Sequence, residues 1–205
     1  MFDYLIYDFD GTISDSYPWF ARALVATLKE HGIDETYESA LAHLKISVGH
    51  ALSSYSWNCT RDEAKKEFYD KYHKLSSEYG TPVEGAEDIL KFALELGKKN
   101  YIYTHTGAHA TLLLKKFGLY DYFDAILDGT MGFPSKPDPT ALNWFVGQQR
   151  IDRSRALMIG DRDIDVNVGR NAQLKGCLLD PDGFYPDLDC DFRIEKLVEL
   201  KSIIA

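Results

Sequence analysis

The sequence predicts an α/β fold, a parallel-sheet core with an all-helical domain inserted after the first strand. Three observations carry this. Short apolar runs alternate with helix-patterned stretches over most of the chain, which argues for strands joined by right-handed helical crossovers. Several of those runs end in Asp or Thr, and in open α/β sheets sites form beyond the carboxyl ends of the strands. Residues 16–83 break the alternation and are helical in pattern throughout.

The strand candidates are Tyr4–Tyr7, Tyr101–Tyr103, Ala125–Leu127, Ala156–Ile159 and Gly176–Leu179, with Phe192–Ile194 as a short edge strand. Polar Gly97–Asn100 precedes the second of these, and Gly160-Asp161 follows the fourth. Within the insertion, Phe20, Leu24 and Leu28 recur at i, i+4, i+8 with Pro18 near the helix start. Further helix is expected over Ala40–Leu44, Ala51–Tyr55 and Glu63–Tyr79, the last opened by a Thr60–Glu63 capping box. Asp138-Pro139 reads as an N-cap followed by a first-turn proline before Ala141–Val146. Lys115-Lys116-Phe117-Gly118 reads as a cationic last turn with a glycine stop. Gly80–Gly85 is the expected return linker, so the core takes residues 1–15 and 84–205 and the insertion 16–83.

A hydrophobic fraction of 45% with 13% aromatics supports a packed core rather than disorder. The net charge of −9 argues against a nucleic-acid partner, which wants a basic face. It does not oppose a small phosphorylated substrate, because a local cation outweighs distant surface charge. Cys59, Cys177 and Cys190 form neither a zinc spacing nor a disulfide framework, and read as thiols in a reducing compartment. No signal peptide and no bilayer-spanning stretch is visible, so the expectation is a cytoplasmic protein without a membrane partner. Monomer and homodimer both stay open.

The chemistry concentrates at Tyr4–Ser14, where an apolar run ends in Asp8 and Asp10, spaced i, i+2, and then Gly11. On a strand, that spacing puts both carboxylates on one side, and the glycine lets the chain turn at once. Such a pair suits a hard cation with oxygen ligands, Mg2+ first, and offers a nucleophile beside an acid/base. Three more segments follow in order: Tyr101-Ile-Tyr-Thr104-His105-Thr106, Lys136-Pro137-Asp138-Pro139, and Gly160-Asp161-Arg162-Asp163-Ile164-Asp165.

Asp8-Phe-Asp10-Gly11-Thr12 and these three segments together resemble the motifs of the haloacid dehalogenase-like superfamily, most of whose members are phosphatases. The chain is similar to its helical-cap subgroup, to which phosphoglycolate phosphatases and β-phosphoglucomutases belong. The resemblance implies a Rossmann-like core, with the helical insertion as a cap domain that closes over the active site. It implies Mg2+-dependent hydrolysis of a small phosphate monoester through an aspartyl-phosphate, with Asp8 as nucleophile and Asp10 as general acid/base. Thr104 would donate to the phosphoryl oxygens and Lys136 would offset their charge. Asp8, Asp10 (through its carbonyl) and Asp161 would hold the metal. Asp165 would be a further ligand, or would orient Lys136 or metal-bound water; Asp163, between Asp161 and Asp165, either faces solvent or takes part of that role.

His105 departs from the pattern, since asparagine or a small residue more often follows the threonine; a protonated His would donate to phosphate or reach a substrate group. Leu44–Ser53 resembles the glycine-centred specificity segment of helical caps, which implies that Lys45, Ser47 and His50 touch the leaving group. By periodicity alone Lys45 and His50 read as a solvated helix face, and the insertion's aromatics as core. The four motifs do not separate a phosphatase from a phosphomutase that returns the phosphate to sugar. A regulatory module that binds Mg2+ and phosphate without turnover is a third reading, opposed by the intact Asp8 and Asp10.

Overall fold

The computed structural model describes all 205 residues. Its strands are β1 (Tyr4–Tyr7), β2 (Lys99–Tyr103), β3 (Ala125–Leu127), β4 (Ala156–Gly160), β5 (Lys175–Leu179) and β6 (Phe192–Ile194). Its helices are α1 (Tyr17–Glu30), α2 (Tyr37–Ile46), α3 (Val48–Ser53), α4 (Arg61–Tyr79), α5 (Ala86–Glu95), α6 (Ala108–Lys116), α7 (Thr140–Gln149), α8 (Asp163–Asn171) and α9 (Leu200–Ile204). The chain divides into two compact units, Met1–Ser14 with Pro82–Ala205, and Asp15–Thr81.

In the first unit all six strands form one sheet, ordered β3-β2-β1-β4-β5-β6, and every neighbouring pair is parallel. Alternate residues of the central strands feed two opposite layers, as the period of a strand requires. Leu5, Tyr7, Ile102, Leu157 and Ile159 pack with the apolar faces of α5, α6 and α9. Ile6, Tyr101, Tyr103 and Met158 pack with α7 and α8. The chain runs outward from β1 through β2 to β3, then returns to the other side of β1 with β4. That reversal makes the carboxyl end of β1 the switch point of the sheet, where such folds build their sites.

Several edges differ from expectation by one to three residues, among them the end of α3 at Ser53 and the start of α2 at Tyr37, and two have a visible cause. The second strand starts at Lys99, because buried Asn100 extends the strand while its amide donates to the carbonyls of Leu90 and Tyr122. The helix α7 starts at Thr140, with Pro139 at the N-cap and the Asp138 carboxylate accepting the Thr140 N–H at 2.8 Å.

The second unit is helical, α1 to α4, around Phe20, Leu24, Leu28, Leu44, Phe68 and Tyr72. Phe20 stacks on Tyr72 with ring centroids 3.9 Å apart. Trp19, Tyr55 and Trp57 pack partly buried against the same cluster. Thr60 and Glu63 close both halves of the capping box at α4. Chain entry and exit lie side by side: Ser14 and Pro82 form an antiparallel bridge, and the Val83 N–H donates to the Ile13 carbonyl at 2.9 Å. The three cysteines are unbonded, with Cys177 buried. No helix is long and apolar enough to cross a membrane.

Candidate active site

The end of β1 is a tight loop. The Asp8 N–H still donates to Ile159 of β4 at 2.8 Å, and then the Phe9 carbonyl accepts from both Ile13 and Ser14. Gly11 sits at φ 81°, in the left-handed region that glycine enters without strain. This turn carries Asp8, Asp10 and Thr12 together at the switch point.

Lys136 defines the geometry. Its ammonium donates to Asp8 Oδ1 at 2.7 Å, to Asp165 Oδ1 at 2.8 Å and to the Tyr103 carbonyl at 2.8 Å. All three ammonium protons are therefore taken by protein acceptors. Nζ also lies 4.5 Å from the Tyr103 ring centroid. Burial alone pulls the Lys136 pKa down, but the charges of Asp165 and Asp8 overcome it and hold the ammonium above its ordinary value. Burial, with the Asp8 charge, raises Asp165, and Lys136 pulls against that shift.

Asp165 occupies the first turn of α8, 1% exposed, and its Oδ2 accepts the Arg162 N–H at 3.2 Å. Gly160 makes room for it: a Cβ there would lie 2.2 Å from the Asp165 Cβ. Asp163, at the start of the same helix, is half-buried and has no such pairing to Lys136.

Asp161 directly follows β4, and its Oδ1 accepts from the Thr12 hydroxyl at 3.0 Å. Carboxylate oxygens of Asp8, Asp161 and Asp165 lie within 4.8 Å of one another. This donor set fits a hard dication bound through oxygen, and Mg2+ is ordinarily held by one or two carboxylates with waters. Both oxygens of Asp165 already accept from protein donors, so Asp8 and Asp161 are the carboxylates best placed to bind metal.

Two hydroxyls complete the arrangement. The Thr104 oxygen, 1% exposed, accepts the Thr106 N–H at 3.0 Å, which leaves its own O–H as a donor. The Thr106 hydroxyl donates to Asp10 Oδ2 at 2.5 Å. Sequence reasoning passed over Thr106 and the contact of Thr12 with Asp161. A second hydroxyl two residues past Thr104 was the only available signal.

His105 stands elsewhere in the network. Its Nε2 accepts the Lys136 backbone N–H at 2.9 Å, so the ring proton sits on Nδ1. Burial of the ring edge, then the Lys136 charge, push its pKa down to about 4, although the residue as a whole keeps solvent contact. In this arrangement the ring supports the Lys136 backbone through Nε2 and keeps Nδ1–H as its donor.

Lys45, Ser47 and His50 belong to the helical unit. Ser47 caps α3, accepting the His50 N–H at 2.9 Å. His50 Nε2 meets His43 Nδ1 at 3.1 Å, and Lys45 Nζ lies 5.9 Å from the Tyr17 ring centroid.

Comparison with known proteins agrees with this geometry. The family model described as haloacid dehalogenase-like hydrolase matches residues 5–179. A phosphoglycolate phosphatase of Psychrobacter arcticus is 30% identical over 188 residues, covering 83% of this chain and 80% of the relative. An N-acetylmuramic acid 6-phosphate phosphatase of Pseudomonas aeruginosa is 25% identical, covering 83% of this chain and 78% of the relative. A haloacid dehalogenase-like protein of Agrobacterium tumefaciens superposes with a TM-score of 0.82 at 18% identity, over 100% of this chain and 98% of its own. Motif order, sheet topology and a family match spanning most of the chain converge, and this protein belongs to the haloacid dehalogenase-like hydrolases.

Proposed function

We propose that this protein hydrolyses small-molecule phosphate monoesters through an aspartyl-phosphate on Asp8. The observation that carries this reading is the Lys136 clamp, a fully bonded cation 2.7 Å from Asp8 Oδ1, with the Asp10 carboxyl two residues on. With Oδ1 held by the ammonium, Oδ2 of Asp8 is the oxygen that attacks phosphorus. Lys136 lets that carboxylate meet an anionic ester without uncompensated charge. Asp10 gives its proton to the departing alcohol oxygen. It then takes a proton from the water that cleaves the acyl phosphate, which frees phosphate and restores Asp8. The Thr106 hydroxyl donates to Asp10 Oδ2 and so fixes the orientation of this carboxyl. The Thr104 O–H donates to a phosphoryl oxygen.

Asp8 and Asp161, with the Asp10 carbonyl, are the proposed holders of Mg2+, which when bound neutralises the phosphoryl oxygens. Asp165 serves Lys136 rather than the metal. Residues 15–81 are proposed as the cap that selects the substrate, with Lys45 and His50 as its candidate contacts. Relatives similar to this chain at 30% and 25% identity are named for different substrates, which supports a phosphatase and leaves the ester to the cap.

The test is phosphate release from a panel of monoesters with Mg2+, wild type beside Asp8→Asn. The panel holds phosphoglycolate, sugar phosphates, nucleoside monophosphates and an aryl phosphate. Release by the wild type alone supports the assignment, and residual turnover by Asp8→Asn removes Asp8 as nucleophile. No release, with interconversion of hexose 1- and 6-phosphates, would establish the phosphomutase instead.

A further inference from the structure

The segment that carries Lys136 has no regular structure to hold it. Residues 132–139 lie outside any strand or helix between β3 and α7, and within 134–138 Lys136 is the buried residue among exposed ones. The Asp138 N–H closes a turn on the Ser135 carbonyl at 3.0 Å. Two side chains from elsewhere in the sheet-bearing unit brace the backbone. Asn171 of α8 donates to the Pro137 carbonyl at 2.9 Å, and His105 Nε2 accepts the Lys136 N–H at 2.9 Å.

His105 is itself firmly placed. The Thr104 N–H before it donates to the Leu127 carbonyl of β3 at 2.9 Å. Gly129 approaches so closely that a Cβ there would lie 2.1 Å from the His105 carbonyl oxygen. The His105 ring stands edge-on to the Tyr103 ring, with centroids 6.4 Å apart and planes at 86°. Tyr103 in turn gives its carbonyl to the Lys136 ammonium at 2.8 Å. The end of β2 therefore holds Lys136 at two points, the backbone through His105 and Nζ through Tyr103. Burial, then the Lys136 charge, lower the His105 pKa to about 4, so at neutral pH Nε2 keeps its lone pair for the Lys136 N–H. A protonated ring would set one donor against another.

We propose that His105 is a positioning residue for the reaction at Asp8: its Nε2, by taking the Lys136 N–H, fixes the loop from which the ammonium reaches Asp8. The Lys136 side chain meets Asp8, Asp165 and the Tyr103 carbonyl together only while its own backbone stays in place. A displacement of about 1 Å at such a group costs on the order of 10²-fold in rate. His105 acts here through Lys136 and not on the substrate. This deepens the phosphatase reading above and rests on it for turnover, whereas the bond between His105 and Lys136 is a property of the fold.

The experiment compares wild type, His105→Gln and His105→Leu on the monoester that the wild type turns over best, with Mg2+. Glutamine can place its side-chain oxygen where Nε2 stands; leucine fills similar space and accepts nothing. His105→Leu should lower kcat about 10- to 100-fold with KM within about threefold of wild type, and His105→Gln should recover most of the rate. Equal losses in both variants, a wild-type kcat in His105→Leu, or an effect confined to KM would overturn the proposal. Two further readings need no turnover. Nitrogen NMR of histidine-labelled wild type at pH 7 should show His105 protonated on Nδ1 and bare on Nε2; the opposite tautomer would overturn the proposal, and this reading stands even where a variant fails to fold. Amide exchange at Lys136 should be about tenfold or more faster in His105→Leu than in wild type or His105→Gln, and equal exchange in all three would overturn it as well. If the wild type releases no phosphate, the phosphatase reading fails, and tautomer and exchange still decide whether His105 holds the Lys136 loop.

Discussion

Asp165 packs onto Gly160 so closely that the backbone of β4 and the first turn of α8 have no space between them for a methyl group. A Cβ on residue 160 would lie 2.2 Å from the Asp165 Cβ and 2.5 Å from its Oδ2. The carboxylate that pins Lys136 is therefore itself positioned by a missing side chain.

Gly160→Ala should destabilise the protein by roughly 1–3 kcal/mol, the ordinary cost of overpacking. It should also lower kcat by at least about tenfold, because Asp165 must move off Lys136. Thermal unfolding beside steady-state kinetics checks both; an active, stable alanine variant would show that Asp165 tolerates displacement.

Lys136→Met should leave Asp8 and Asp165 as neighbouring buried carboxylates with no cation between them. Breaking such a pair from one side costs about 3–5 kcal/mol, and the loss of transition-state charge compensation about 10²–10³-fold in kcat. Denaturant unfolding and phosphate release, measured on the same preparation, give the two numbers. Full activity would remove Lys136 from the site.

Thr106→Val deletes the hydroxyl that holds Asp10 Oδ2. A hydrogen bond to a charged group contributes ~1.5–3 kcal/mol, so kcat should drop about 10- to 100-fold with little change in KM. Thr106→Ser should recover most of the rate. A valine variant with normal kcat would mean that Asp10 needs no such anchor.

Chelation should silence the enzyme, and added Mg2+ should restore it. The loss should be on the order of 10²-fold or more, as several kcal/mol of charge stabilisation implies. Calorimetric titration of Mg2+ into Asp161→Asn should show weakened binding; unchanged affinity would exclude Asp161 as a ligand.

In the helical unit, His31 Nε2 meets Glu67 Oε2 at 2.8 Å and Nδ1 meets the Asn58 side-chain oxygen, so both ring nitrogens face acceptors. The bond to Glu67, then that to Asn58, raise the His31 pKa from 6.5. A raised folded-state value stabilises fully below the unfolded pKa and fades as pH climbs through the folded one. The melting temperature of the wild type should exceed that of His31→Gln at pH 5.5, and the gap should narrow by pH 8.5. A gap independent of pH would show that charge on His31 contributes nothing.

Much of this was legible before any coordinates. Tyr4–Tyr7, Ala125–Leu127 and Phe192–Ile194 are strands at the residues their apolar runs mark, since a strand between two helix layers has few ways to hide its boundaries. The cap at Thr60 and the stop at Gly118 were readable because they are local chemistry. Contacts between distant segments were not encoded locally: that of Lys136 with Asp8, 128 positions apart, entered only through the family resemblance, and that of Thr106 with Asp10, 96 positions apart, was not anticipated at all. Ser47 also has a local structural role that was not read from sequence: its hydroxyl caps α3 by accepting the His50 N–H. Asn100 was placed with the polar residues before the second strand, yet it lies within that strand, buried, with its amide bonded to two carbonyls.

The bridge between Ser14 and Pro82 carries a consequence for how this architecture diversifies. The two points where the chain leaves and rejoins the sheet-bearing unit are neighbours, already tied by backbone hydrogen bonds. Seen from the sheet, everything between them is a single excursion from one hairpin, and the entropy of closing an excursion grows only with the logarithm of its length. Helical segments of very different size can be exchanged at that hairpin with little thermodynamic penalty to the catalytic framework. Such grafts at one spot leave Asp8, Lys136 and Asp165 untouched.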